Sequence, residues 1–162
     1  MRCGNKMMQK LRYAKILTML LMVTGLSEAA LADSSDVVVE GAWARASIGV
    51  NRPSAAFMIV RNTGDDPITL TSLETPLAMK STIHETKIDA NGVSSMKPSG
   101  EILIAPGKSL TLKPGGLHAM LTNLLMPMKQ GDTFSLALNF SDGGQVKVEV
   151  PILGIAARGP ES

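Results

Sequence analysis

Two histidines and two methionines make up the most distinctive chemical pattern in this sequence. His118-Ala119-Met120 sets an imidazole and a thioether two residues apart, and His84 and Met96 come earlier in the chain. In a β-strand, residues i and i+2 project from the same face with their bases about 7 Å apart. The side chains of the His-x-Met step can therefore converge on one ion, and His84 and Met96 are candidates to join them.

Two imidazole nitrogens and two thioether sulfurs would favour Cu(I). Thioether sulfur is a soft ligand that discriminates against zinc, magnesium and calcium, whereas Cu(I) is soft and accepts irregular three- or four-coordination. A thioether also cannot form a disulfide, which suits a site in an oxidising compartment.

Two observations leave room for another interpretation. A lone methionine is usually core filler, so the same residues could serve only in packing. In addition, if Asn91-Gly92 closed a two-residue hairpin, Lys87 would pair with Met96, and His84 would then point to the opposite face from Met96. A bulge, a longer loop, or departure of Met96 from the strand would remove that conflict.

The first 32 residues have the three parts of a secretory signal peptide. Residues 1–15 carry five basic side chains and no acidic one, an apolar run from Ile16 to Leu26 follows, and Ala30-Leu31-Ala32 ends the segment. The apolar run is shorter than the roughly 20 residues that a permanent membrane anchor needs. We therefore expect residues 1–32 to be cleaved off after Ala32, leaving 33–162 as one mature domain without a permanent membrane anchor.

Removing this segment changes the charge of the chain. The whole sequence has 16 basic and 14 acidic residues, and the first 32 residues hold five of the former and Glu28 of the latter. The mature chain then has 11 basic and 13 acidic residues and a net charge of −2. A slightly acidic chain without a basic cluster argues against nucleic acid as a partner.

The residue inventory also excludes several kinds of catalysis. The single cysteine, Cys3, lies in the predicted signal peptide and precedes its apolar run, so it is not placed as a lipidated cysteine. The mature chain thus lacks disulfides, a thiol nucleophile and the thiolate of a blue-copper site. Neither a Gly-x-Ser-x-Gly elbow nor a phosphate-binding glycine loop is present. We expect a protein that is not an enzyme.

Short runs bounded by Gly, Pro, Asn and Asp indicate an all-β domain of about nine strands. The clearest run is Thr133–Phe140, which alternates apolar and polar residues, and Gln145–Val150 repeats the pattern after an Asp142-Gly143-Gly144 turn. The other predicted strands are Val37–Ser47, Ala55–Asn62, Pro67–Leu73, Met79–Ile88, Ile102–Ile104, Ser109–Lys113 and Leu117–Leu124.

The spacing of these residues resembles the signature of the PCu(A)C-type periplasmic copper chaperones. That signature is His, an optional Met, ten residues, Met, twenty-one residues, and His-x-Met. Here Glu85 takes the optional place, ten residues separate it from Met96, and twenty-one more lead to His118-Ala119-Met120. The flanking sequences Ala42-Trp43-Ala44-Arg45 and Leu112-Lys113-Pro114-Gly115-Gly116 resemble the family as well.

This resemblance implies a cupredoxin-like Greek-key β-barrel in the periplasm. It implies one Cu(I) bound through His84, Met96, His118 and Met120, and delivery of that copper to a subunit of cytochrome c oxidase or a related oxidase, often beside a Sco-type thiol protein. Some relatives carry a His- and Met-rich tail that holds Cu(II), and residues 155–162 contain neither residue type. The alternatives are a copper storage or tolerance protein and an exported β-sandwich interaction module that binds no metal.

Overall fold

The computed structural model describes residues 34–160. The predicted signal peptide, residues 1–32, lies outside these residues and stays a prediction. Residues 34–160 belong to one compact unit. Within residues 34–160, no helix is long and apolar enough to cross a membrane.

The described chain contains ten β-strands and one short 3₁₀ turn at Ser34–Asp36, and this confirms the predicted all-β class. The strands are β1 (Val37–Arg45), β2 (Ser54–Asn62), β3 (Ile68–Glu74), β4 (Ala78–Ile88), β5 (Ser94–Pro98), β6 (Ile102–Ile104), β7 (Ser109–Leu112), β8 (Leu117–Leu124), β9 (Thr133–Phe140) and β10 (Gln145–Leu153).

The strands are hydrogen-bonded in the order β5-β4-β8-β2-β1-β10-β9-β3-β6, with β7 also paired to β2. All pairs are antiparallel except β1 with β10, whose parallel pairing joins the two halves of the sheet. A core of buried aliphatic side chains draws on both halves, including Met58, Leu121, Leu136 and Leu138. Met58 is a fully buried member of this core.

Nine of the ten strands lie where the sequence predicted strands, and β5 was missed. All five residues of β5 are exposed, so the segment has no apolar alternation that would reveal it. It forms a strand because it pairs with one edge of β4.

The predicted hairpin after β9 is confirmed, and an aspartate at its tip ties it to the start of the domain. Asp142 accepts hydrogen bonds from the backbone N–H groups of Ser34 at 2.6 Å and Gly144 at 2.9 Å. Partial desolvation opposes ionisation of Asp142, but these hydrogen bonds outweigh it and lower the pKa of Asp142 below its ordinary value.

Candidate metal centre

The register of three neighbouring strands brings the four predicted ligands to one face of the sheet. On β4 and β8, His84 lies directly opposite His118, and Thr82 lies opposite Met120. On β4 and β5, Thr86 lies opposite Met96. Because directly paired residues and residues two apart along a strand share a face, both histidines and both methionines project from the same side.

The loop between β4 and β5 resolves the conflict that a two-residue turn would create. Asp89 donates its N–H to the carbonyl of Val93 at 3.0 Å, so three residues, Ala90-Asn91-Gly92, form the loop. Its last residue has a φ of 80°, the left-handed conformation that such three-residue loops require. The pairing moves by one residue, so Met96 faces Thr86 and shares the face of His84.

This face is the outer one, opposite the aliphatic core. Ala119 and Leu121 of β8 point into the core and are fully buried, whereas the alternate residues of β8 point outward. The candidate centre therefore lies on the outer face of the sheet, and its side chains can change without opening the core.

His118 is held rigidly on this face. It is only 6% exposed. The centroid of its ring lies 6.5 Å from that of the Phe57 ring, and the Phe57 centroid lies 4.5 Å from that of Trp43. Nδ1 of His118 lies 3.0 Å from the carbonyl oxygen of Gly116. A carbonyl can only accept, so Nδ1 carries the proton in this hydrogen bond and the lone pair of Nε2 is left for a metal.

His84 is half-buried and faces His118, with ring centroids 6.2 Å apart and the rings 26° from parallel. Its Nδ1 lies 3.3 Å from the hydroxyl of Thr82, which can donate or accept. Facing rings at this separation are compatible with both imidazoles acting as ligands of one metal site.

The two thioethers differ in exposure. Met120 is half-buried, while Met96 on the edge strand β5 is 50% exposed. Met96, His118 and Met120 line one cleft of about 330 Å³ together with Arg45 and Arg52. Because Met96 is more exposed than the other candidate ligands, an incoming molecule would reach its sulfur first.

The usual ligands of zinc and calcium sites do not cluster in the part of the chain that the structure describes. Within residues 34–160, no three His, Cys, Asp or Glu side chains come close enough together to hold a metal ion. The strand register places the thioethers of Met96 and Met120 on the face of the histidine pair, and thioether sulfur favours a soft ion over zinc or calcium.

Several residues around the centre were not identified as functional from the sequence. Phe57 and the carbonyl of Gly116 position His118, and no local pattern indicates either contact. Thr82 could have been found, because it lies two residues before His84 and so shares its face. Arg45 belongs to the resemblance with the family, but nothing in its neighbourhood in the sequence indicates a role at the cleft.

Comparison with solved structures establishes the fold. The apo PCuAC domain of PmoF2 superimposes with a TM-score of 0.63, at 21% identity, over 77% of this chain and 95% of that domain. The solution structure of CuI-DR1885 from Deinococcus radiodurans matches with a TM-score of 0.53, at 30% identity, over 77% of this chain and 85% of that chain. The predicted cupredoxin-like fold of a PCuAC domain is confirmed.

Sequence comparison gives the family. The family model described as "Putative lipoprotein LpqE-like" matches residues 37–152. The Leifsonia xyli subsp. xyli protein Lxx21020, a lipoprotein by name, is 35% identical over 117 residues, which are 72% of this chain and 69% of that protein. The chain belongs to the LpqE-like family and has the fold of a PCuAC domain.

Proposed function

We propose that this protein is an exported Cu(I) chaperone. It binds one Cu(I) through His84, Met96, His118 and Met120 and delivers it to the copper centre of cytochrome c oxidase or a related oxidase. The observation that carries this proposal is the strand register of β5, β4 and β8, which sets two imidazoles and two thioethers on one outer face.

The chemistry of the four donors supports Cu(I) over other ions. Two soft sulfurs and two imidazole nitrogens match a d¹⁰ ion without a strict geometric preference. The hydrogen bond from His118 to the Gly116 carbonyl fixes one tautomer in advance, which reduces the reorganisation needed for binding.

The relatives support copper as the ion. DR1885, which is 30% identical to this chain, has been solved with Cu(I). The shared fold extends over more than three quarters of the chain, and the candidate strands lie within the matched domain of the family.

Export fits both the relatives and the N-terminal sequence. Both the description of the family and the name of Lxx21020 contain the term "putative lipoprotein". Lipoproteins are exported proteins. Residues 1–32 of this chain carry the pattern of a secretory signal peptide, but its only cysteine, Cys3, precedes the apolar run. We infer a periplasmic protein released by cleavage after Ala32.

Release of copper follows from the graded exposure of the ligands. The exposed thioether of Met96 can be replaced first by a donor of the recipient, and the more buried ligands follow one at a time. Copper then passes between proteins without becoming a free ion. The recipient's stronger ligands, such as the thiolates of an oxidase subunit or of a Sco-type protein, supply the driving force, so the protein catalyses no reaction.

Two measurements on the exported chain test this function. A competition titration against a Cu(I) chelator should show one Cu(I) per chain, and mixing the loaded protein with an apo oxidase subunit should transfer the copper even with chelator present. Failure to bind Cu(I) would refute the copper site. Binding without transfer would instead favour the storage or tolerance protein.

A further inference from the structure

The cleft that holds three of the candidate ligands also carries two arginines. Arg45 lies at the end of β1, and Arg52 lies in the loop before β2. Both line the cleft with Met96, His118 and Met120. Positive charge next to a cation site does not favour binding of the cation. The presence of Arg45 and Arg52 in this cleft therefore needs an explanation other than metal binding.

The guanidinium of Arg45 is fixed in place. Its central carbon lies 5.5 Å from the centre of the Phe57 ring, and its Nε donates a hydrogen bond to the carbonyl of Ala157 at 2.9 Å. These contacts stabilise its orientation, yet the remaining N–H groups of its planar head stay available for a carboxylate.

Neither arginine is neutralised by a carboxylate within the described part of the chain. Among residues 34–160, the ion pairs within 4.0 Å are Arg61 with Glu40 and Lys87 with Glu85. The segments that surround the cleft, residues 41–64 and 150–160, contain no Asp or Glu at all. The cleft is therefore locally cationic on a mature chain whose predicted net charge is −2.

The rim of the cleft has the composition of a docking surface. Ile48 and Ile155 line it and are 62% and 52% exposed, next to the exposed thioether of Met96. Exposed aliphatic side chains beside uncompensated arginines match the apolar and Arg-rich composition of interface centres.

Copper loading increases the charge of this face. All four candidate ligands are neutral, since thioethers carry no charge and an imidazole that binds a metal is unprotonated. Binding of Cu(I) therefore adds a full unit of positive charge beside two arginines, and its departure removes that charge.

We propose that this cationic cleft docks an acidic surface of the copper recipient, and that the copper-loaded protein docks more tightly than the apo protein. This inference rests on the proposed chaperone function. Loading strengthens the encounter and delivery weakens it, so the empty chaperone leaves after transfer. The attraction is electrostatic and exposed, so it acts mainly on encounter and orientation.

The proposal can be tested with a deca-glutamate peptide as probe and a deca-lysine peptide as control. NMR titrations of the ¹⁵N-labelled exported chain, with and without bound Cu(I), would follow the amide signals. We expect deca-glutamate to shift signals of residues 45–55 and 154–158, and to bind the loaded form about threefold more tightly than the apo form. High salt should abolish this binding.

Matched variants separate docking from copper binding. Arg52→Gln should weaken deca-glutamate binding about threefold without lowering Cu(I) affinity, because it removes no ligand. Arg61→Gln makes the same charge change at the far end of β2, about 20 Å along the strand, and should leave deca-glutamate binding unchanged.

Four results would overturn the proposal. Equal binding of deca-glutamate to loaded and apo protein would refute the copper dependence, and shifts outside the cleft would refute the docking surface. Equal effects of Arg52→Gln and Arg61→Gln would show only a general charge effect. Intact Cu(I) binding in these experiments would leave the chaperone function standing, whereas absence of Cu(I) binding would overturn both.

Discussion

At the scale of single residues, the spacing of the sequence predicts the candidate ligands. The contacts that hold those ligands in place are visible only in the folded chain. The shared face of His118 and Met120 follows from their separation by two residues in a strand. The hydrogen bond from His118 Nδ1 to the Gly116 carbonyl, and the packing of its ring near Phe57, depend on the local path of β8 and on its pairing with β2.

Replacing Met120 with leucine tests the sulfur at the centre of this arrangement. Met120→Leu keeps the volume of the side chain and removes the thioether, so we expect Cu(I) affinity to fall at least about tenfold, since loss of an outer-shell partner alone often costs that much. The measurement is a competition titration against a Cu(I) chelator.

Met79→Leu is the matched control. Met79 is 74% exposed on β4, and its replacement should leave Cu(I) affinity unchanged. An equal effect of the two substitutions, or none from Met120→Leu, would remove the Met120 sulfur from the site.

At the scale of elements, the hairpin of β4 and β5 decides whether Met96 can join the histidines. The sequence Asn91-Gly92 indicates a turn but does not fix the number of loop residues, and the face of Met96 depends on that number. Strand β5 was missed because local sequence does not reveal it either. Its exposed side chains carry no periodic signal, and pairing with β4 alone makes it a strand.

The register can be tested by two deletions of one residue each. Deletion of Ser95 moves Met96 to the position opposite Lys87, on the other face, so Cu(I) affinity should fall about as far as in Met96→Leu. Deletion of Ala90 shortens the loop to two residues but keeps Asp89 paired with Val93, so affinity should be retained. The chelator competition measures both.

A rescue makes this test specific. With Ser95 deleted, Lys97 takes the place opposite Thr86, so adding Lys97→Met should restore Cu(I) affinity. Equal affinities of the two deletion variants, or failure of this rescue in a folded protein, would contradict the register.

The tie between the β9–β10 hairpin and the start of the domain predicts a pH effect on stability. The pKa of Asp142 is lowered in the folded protein, so its ionised form stabilises the fold above the pH at which a free aspartate titrates, about 3.9, and this contribution disappears as the pH falls further. Asp142→Asn should lower the free energy of unfolding at neutral pH by less than about 1 kcal/mol, because solvent screens the exposed carboxylate.

Urea denaturation at several pH values measures this effect. The difference between the variant and the parent should shrink as the pH falls through the lowered pKa of Asp142, because the carboxylate is then protonated in the folded protein. Asp65→Asn serves as the control, because the Asp65 side chain accepts no hydrogen bond from residues 34–160. A difference that persists unchanged in acid would contradict the role given to the Asp142 charge.

At the scale of the whole molecule, the sheet separates stability from function. Its inner face builds the aliphatic core, which the alternation of Phe134, Leu136 and Leu138 already predicted. Its outer face carries donors from three strands, and no local pattern could have shown how β5, β4 and β8 lie side by side. The long fixed spacings of the family resemblance indicated which four side chains belong together, but not the order of the strands that carry them.

Gathering ligands from three strands predicts that Cu(I) stabilises the folded chain. The unfolded chain does not hold these donors together, so binding favours the native state. With free Cu(I) at 100 times its dissociation constant, the free energy of unfolding should rise by about 2.7 kcal/mol. Chemical denaturation with buffered Cu(I) measures this, and the Met96→Leu/Met120→Leu double variant should show a much smaller rise. Equal stabilisation of both proteins would indicate binding elsewhere.

X-ray absorption at the copper edge, on the exported chain loaded with one Cu(I), tests the central claim most directly. We predict two sulfur and two nitrogen atoms in the first coordination shell, with the sulfur contribution lost in the Met96→Leu/Met120→Leu variant and the nitrogen contribution kept. A first shell of nitrogen or oxygen alone in the unsubstituted protein would contradict a centre formed by His84, Met96, His118 and Met120.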